Sequence, residues 1–398
     1  MKKRKLLIPL LVFSLLLPFA GCKKEEEPEP SMTTTTTVME SEPSETTTTE
    51  ATTTTETEPV LYDPNIDFAL NPRTGVQDMD PENEGNKPIT IVVNNVYAAM
   101  PQRGVSQADA IFEYETEGGI SRLLCVFADV NTIPEIGSLR SARVVTANLS
   151  AGINAIFVHF GREARVVSYF SSNNIIHIDG NYLCAGKYNS SDYEDGYVDL
   201  PGNTFFWRDK TWSSERAIEH TAVSDGIHIK EALEYKGIDL ADEDGEVSML
   251  FNFAPDNSKD ILNATETCSS INVYFSSAND DALFEYNSGD NLYYKSQYGS
   301  PQIDENNGEQ IAVRNVFVLF VRVALADDGY RTDYFFEEGG EGYYLCDGMI
   351  INVTWTKDGV HDPIKVFNED GEEVEVNRGK SYICLVRSSN ADKTTINP

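Results

Sequence analysis

Arg140 and Arg143 stand three residues apart in the string I-G-S-L-R-S-A-R (136–143), with Ser138 and Ser141 beside them. The spacing predicts a helix over 138–151, with Val144, Ala147 and Ala151 on one side. Both guanidiniums would then share a face at its start. Two planar guanidiniums next to the free N–H groups of a helix start could grip a carboxylate or phosphate bidentately. The competing expectation is that Glu113, Glu115 or Glu117, from a neighbouring strand, neutralises both arginines in a structural network. Arg122, closing the string E-Y-E-T-E-G-G-I-S-R (113–122), joins the candidate ligand-binding set.

Glu113 and Glu117 suggest a second chemistry. Glycoside cleavage uses two carboxylates flanking a bond. Residues four apart on one strand face the same side, about 13 Å apart along the backbone, so this pair could act only across a bound sugar. His159 ends an apolar strand just before Phe160-Gly161, where an α/β domain often displays a functional side chain; the alternative is a structural, hydrogen-bonded histidine. His220 and His228 are too far apart to chelate a metal from one helical face. Arg208 and Asp209 read as structural supports, and Trp207 and Trp212 as either core residues or a sugar platform. The chain has no G-x-S-x-G elbow and no H-E-x-x-H helix, and nothing in it implies a cofactor or a metal.

Cys22 carries a different signal. Lys2, Lys3, Arg4 and Lys5 precede an apolar run, Leu6–Phe19, that is short for a membrane span of about 20 residues. The run ends in F-A-G-C (19–22), the pattern of a lipoprotein signal peptide whose Cys receives the lipid. That implies a cell-membrane protein, lipid-anchored on the extracytoplasmic face. Residues 23–63 are rich in Thr, Glu and Pro and bury too little to offset the entropy of ordering, so they read as a disordered tether. Five further cysteines (125, 184, 268, 346 and 384) form no close pair motif, and an odd number leaves at least one thiol unpaired in a monomer. With 64 acidic against 31 basic residues in 398, and a net charge of −33, nucleic acid is excluded as a partner.

The elements that must position these residues read as two regions. Over 64–240, strands are expected at 87–96, 110–115, 120–129, 153–159 and 175–178, with the Gly118-Gly119 turn joining the second and third. Helices are expected at 163–170 and from an N-cap at Ser224 to Lys236, closed by Gly237. Over 268–398 the pattern is mostly β, with strands at 271–276, 282–287, 291–296 and within 310–326, and a hairpin around Asp347-Gly348.

Several strings together resemble the YerB-like lipoproteins, a family with no established biochemical function. They are N-P-R-T-G (71–75), I-V-V-N-N (91–95), P-Q-R-G-V-S-Q-A-D (101–109), the E-Y-E-T-E-G-G-I-S-R and I-G-S-L-R-S-A-R strings, V-H-F-G (158–161) and F-W-R-D (206–209). Later in the chain, R-N-V-F-V (314–318), Y-L-C-D-G (344–348), W-T-K-D (355–358) and N-R-G-K-S-Y (377–382) resemble the family's second domain. The resemblance implies an α/β (α+β mixed) fold, a layered mixed-sheet domain followed by a smaller mostly-β domain. The expected function is a non-enzymatic binding or scaffold protein of the bacterial cell envelope. Its partner would be a cell-wall component or an envelope protein, met through the arginines. The alternatives are an envelope enzyme acting on glycan or wall polymer, and a structural accessory subunit.

Overall fold

The computed structural model describes residues 63–184, 205–242, 248–255, 264, 266–279 and 281–398. The signal segment, Cys22 and all but the last residue of the tether lie outside them. Of the described chain, 64–242 supplies strands β1 (Ile89–Asn94), β2 (Ala110–Glu115) and β3 (Ser121–Phe127), then helix α1 (Val144–Gly152). Strand β4 (Ile156–His159), α2 (Ala164–Ser172), β5 (His177–Asp179) and α3 (Gly226–Lys236) follow. The later region supplies β6 (Ser270–Val273), β7 (Ala282–Asn287), β8 (Leu292–Gln297) and β9 (Asn315–Val321). It ends with β10 (Gly340–Cys346), β11 (Met349–Thr356), β12 (Lys365–Phe367), β13 (Ser381–Arg387) and β14 (Thr395–Asn397).

These strands build a mixed α and β, strand-rich fold around one 11-stranded sheet. Its order runs β11-β10-β9-β13-β2-β3-β1-β4-β5, with Glu266–Thr267 and β12 both pairing with β11. The two sequence regions are therefore not separate sheets. β13, near the C-terminus, lies parallel to β2 with Ser381 opposite Ala110 and Leu385 opposite Tyr114. A second, 6-stranded sheet contains β8-β7-β6-β14.

Both faces of the large sheet are covered, which is why its central strands read as continuous apolar runs rather than alternating ones. Ile91, Val93, Leu123 and Cys125 pack in one core with Ile271, Val273, Phe284 and Tyr293 of the smaller sheet and Ile229 and Leu233 of α3. Val92, Phe112, Tyr114 and Leu124 face the other core with Val145 and Leu149 of α1 and Val166 and Phe170 of α2.

The helix expected over 138–151 is shorter than its spacing suggests. It starts at Val144, and 138–143 is extended and stitched across the strand ends. Asn94 donates to the Ser138 carbonyl at 2.8 Å, Arg140 N–H to Val92 at 2.9 Å and Ala142 N–H to Gly161 at 2.9 Å. The segment finds sheet partners for its backbone groups, and this outweighs its helical periodicity. The Gly137–Ser138 peptide in it is cis. Likewise, the α3 cap is Asp225 rather than Ser224: its carboxylate accepts the His228 N–H, while Ser224 sits in a short strand. Gly237 closes the helix at φ 66°, the left-handed conformation a side chain resists.

Candidate functional site

Asn94 at the end of β1, Arg122 at the start of β3 and Tyr114 on β2 form one row across the sheet, set by register: Asn94 pairs with Arg122 and Arg122 with Tyr114. The row lies at the C-terminal ends of the parallel strands β1 and β4, the place where open α/β sheets bind ligands. The extended segment 138–143 crosses it, so Arg140 and Arg143 come to the row from a stitched loop and not from one helical face. Arg143 is the residue preceding α1; its N–H is taken by Thr146 Oγ1 at 3.0 Å.

The turn at Glu117–Gly119, with Gly118 and Gly119 at φ 73° and 76°, ends β2 at Glu115 and swings Glu117 to Arg143. Glu117 accepts from Arg143 Nε at 2.5 Å and from Nη2 at 3.0 Å. The bidentate pair lowers the Glu117 pKa against the opposing effect of burial. This is the neutralisation considered from sequence, but it reaches only one of the arginines. Arg140 Nη1 donates to the Glu219 backbone carbonyl at 2.9 Å, and its Nε has no partner among the described residues. Arg122 is 3% exposed and donates from Nη1 to the Ser141 carbonyl at 2.8 Å, with its Nε also unpartnered. Burial, followed by the like charges of Arg143 and Arg140, lowers the Arg122 pKa to about 9. Arg140 is lowered too, chiefly by burial. Among the described residues the buried Ser138 hydroxyl is unpartnered as well.

The first N–H group of the helix is not on offer to a ligand. Glu163 accepts from Val144 N–H at 3.1 Å and bridges Arg331 at 2.9 Å and Arg165 at 3.3 Å.

Glu113 belongs to a different network. It is fully buried, facing the smaller sheet, and accepts from Asn95 at 2.7 Å, Ser121 at 2.6 Å, Asn279 at 2.9 Å and Tyr382 at 2.7 Å. Lys295 lies 3.5 Å away and is held by Gln297 and Gln302. Glu113 and Glu117 thus share no strand stretch and no common partner, and the acid–base pair across a sugar is not formed. Glu115 pairs with Arg387 at 2.9 Å.

His159 is structural. It is fully buried, its Nδ1 lies 2.8 Å from the Gly161 carbonyl and its Nε2 3.1 Å from His177 Nδ1, and it stacks on Phe170. Burial lowers its pKa, and that of His177 to about 4. Trp212 is core, clamped between the Arg103 and Arg216 guanidiniums, each 4.2 Å from its ring, and so is no sugar platform. Asp209 caps the short helix carrying Trp212 and bridges Arg103 at 3.1 Å, and Arg208 lies over Phe160 at 4.5 Å, both as supports. Among the described residues no His, Cys, Asp and Glu group could hold a metal, and the described cysteines form no disulfide.

Sequence reasoning missed Asn95, Lys295, Asn279 and Tyr382. They reach Glu113 from segments far apart in the chain, and only strand pairing shows that they meet. It also missed Arg103, which bridges Glu135 at 2.5 Å and Glu305 at 3.1 Å and sits in the P-Q-R-G-V-S-Q-A-D string.

Residues 73–239 match the N-terminal domain, and 271–383 the C-terminal domain, of a protein of unknown function, DUF3048. The chain is 30% identical over 319 residues to the "Putative lipoprotein YerB" of Bacillus subtilis (strain 168), covering 79% of this chain and 85% of that one. It is similar to the crystal structure of the YerB protein from Bacillus subtilis with a TM-score of 0.66 at 26% identity, over 82% of this chain and 99% of that one. The chain belongs to the DUF3048 family, the YerB-like proteins.

Proposed function

We propose that this member of the family is a lipid-anchored binding protein of the bacterial cell envelope, held at the extracytoplasmic face through Cys22, that recognises an anionic partner at the arginine row. The F-A-G-C string and the lipoprotein named among its relatives support the anchor. No helix of the described residues is long and apolar enough to cross a membrane.

The observation that carries the binding reading is a charge imbalance. Among the described residues, only the guanidinium of Arg143 out of those of Arg122, Arg140 and Arg143 bonds a carboxylate, and Arg140 feels Glu219 through charge alone. A buried cation costs several kcal/mol unless paired, and a protein of net charge −33 has no shortage of carboxylates to supply. Carbonyls in place of carboxylates leave room for an incoming anion to complete the charge. The acid–base alternative loses its pair, since Glu113 is consumed by Lys295 and its hydrogen-bonded neighbours.

The test is calorimetric titration of the full chain with pyrophosphate. Saturable binding that weakens with added salt is expected, reduced about tenfold or more in Arg140→Ala, where at least 1.4 kcal/mol of charge-assisted contact is removed. Arg140 is chosen because it bonds only one carbonyl and its loss should leave the fold intact. No heat of binding, or unchanged affinity in the variant, overturns the reading.

A further inference from the structure

A second site lies on the large sheet, across β9, β10 and β11, where a cavity of about 340 Å³ opens on the face that carries Phe320 and Tyr343. Its geometry follows from strand register. Tyr343 pairs with Asn352 and Glu341 with Thr354, so an aromatic residue, an amide, a carboxylate and a hydroxyl alternate into one patch on a single face. Glu341, Asn352 and Thr354 are exposed, and Phe320 beneath them is buried. The Phe320 and Tyr343 rings meet edge to face, centroids 5.5 Å apart at 87°, which holds the Tyr343 ring in place. From the loop after β12, Glu369 accepts from Asn352 Nδ2 at 3.2 Å, and Asn368 completes the rim.

The described residues lining this cavity include two carboxylates and no Lys or Arg. It therefore repels the class of ligand that the arginine row attracts. Cationic and neutral ligands remain, and the aromatic floor together with an amide and a hydroxyl between the carboxylates favours a neutral one with an apolar face and groups that both donate and accept around its edge. Carboxylates only accept, and amides do both; a ring of hydroxyls satisfies the two together. The volume falls at the small end of ligand pockets, enough for one or two sugar rings. We propose that this cavity binds a neutral saccharide unit, its ring against Tyr343 and its hydroxyls on Glu341, Asn352 and Glu369. This is independent of the arginine row, and either site can fail without the other.

The experiment is saturation-transfer NMR of the full chain with N-acetylchitotriose as the probe, repeated in high salt and with trilysine as a cationic control. Transfer to the sugar ring protons is expected, insensitive to salt, with affinity falling about tenfold in Tyr343→Ala, equivalent to about 1.4 kcal/mol. Asn352→Ala, at an exposed position, should weaken it as well and decides the matter if the tyrosine variant melts early. No transfer from the sugar, transfer unchanged in Asn352→Ala, or binding of trilysine in its place overturns the proposal.

Discussion

At the residue scale, the decisive contrast is between charges that are paired and charges that are not. Glu113 and Lys295 are both fully buried, and four further side chains close round the carboxylate. Glu113→Ala leaves the lysine buried and uncompensated, so urea unfolding should show a loss of about 3–5 kcal/mol. Glu117→Gln likewise unpairs a largely buried cation, Arg143, so it should raise affinity for pyrophosphate in the same calorimetric assay at a cost of about 3 kcal/mol in stability. The histidines give a pH signature. The folded pKa of His177 lies at about 4, below its unfolded value, so the unfolded chain binds more protons between the two. Its contribution to stability is full above about pH 6.5 and is lost as pH falls towards 4. Asp109 works the other way, since burial raises its pKa to about 6. His177→Phe, which keeps a ring against Phe170, should therefore lose less stability than the parent chain between pH 7 and 4.5 in thermal melts. Residue types and spacing made Arg122, Arg140 and Arg143 legible as a group. Which of them a glutamate would take depended on where β2 stops, and the E-T-E-G-G run does not reveal that Glu117 has already left the strand.

At the element scale, strands were read well in both sheets, whether buried on both faces like 110–115 or alternating like 282–287. The stretch 110–115 was read to the residue, and 282–287 likewise, each being an apolar or aromatic run bounded by turn residues. Helix starts were read less well. The 138–143 segment has helical spacing, yet its backbone finds partners on Val92, Asn94 and Gly161. Such long-range bonds leave no trace in local periodicity. The C-terminal signal of α3 was clear, because a glycine after a last-turn lysine has a mechanism. Gly237→Ala should cost about 1–2 kcal/mol in thermal or urea unfolding, through its positive φ alone, since open space surrounds the position.

At the scale of the whole molecule, two regions distinct in sequence build one sheet. Composition suggested an α/β part and a β part, and two family domains match the same two stretches. What the pattern does not disclose is that β13 inserts beside β2, because strand neighbours fixed by pairing across hundreds of residues carry no local mark. A fragment ending at 242 would expose the edge of β2 and strand Glu113 without Lys295, Asn279 and Tyr382. It should show no cooperative unfolding transition, whereas the full chain should show one. The same coupling means that the arginine row, built wholly from 94–143, still depends on the later strands for its footing.

The most direct measurement is a crystal structure of the full chain grown with saturating pyrophosphate. The account predicts the anion at the ends of β1 and β4, its oxygens within hydrogen-bond reach of the Arg122 and Arg140 guanidiniums, and the Arg143–Glu117 pair intact. Pyrophosphate absent from that row, with both arginines still resting on the Ser141 and Glu219 carbonyls, would contradict it.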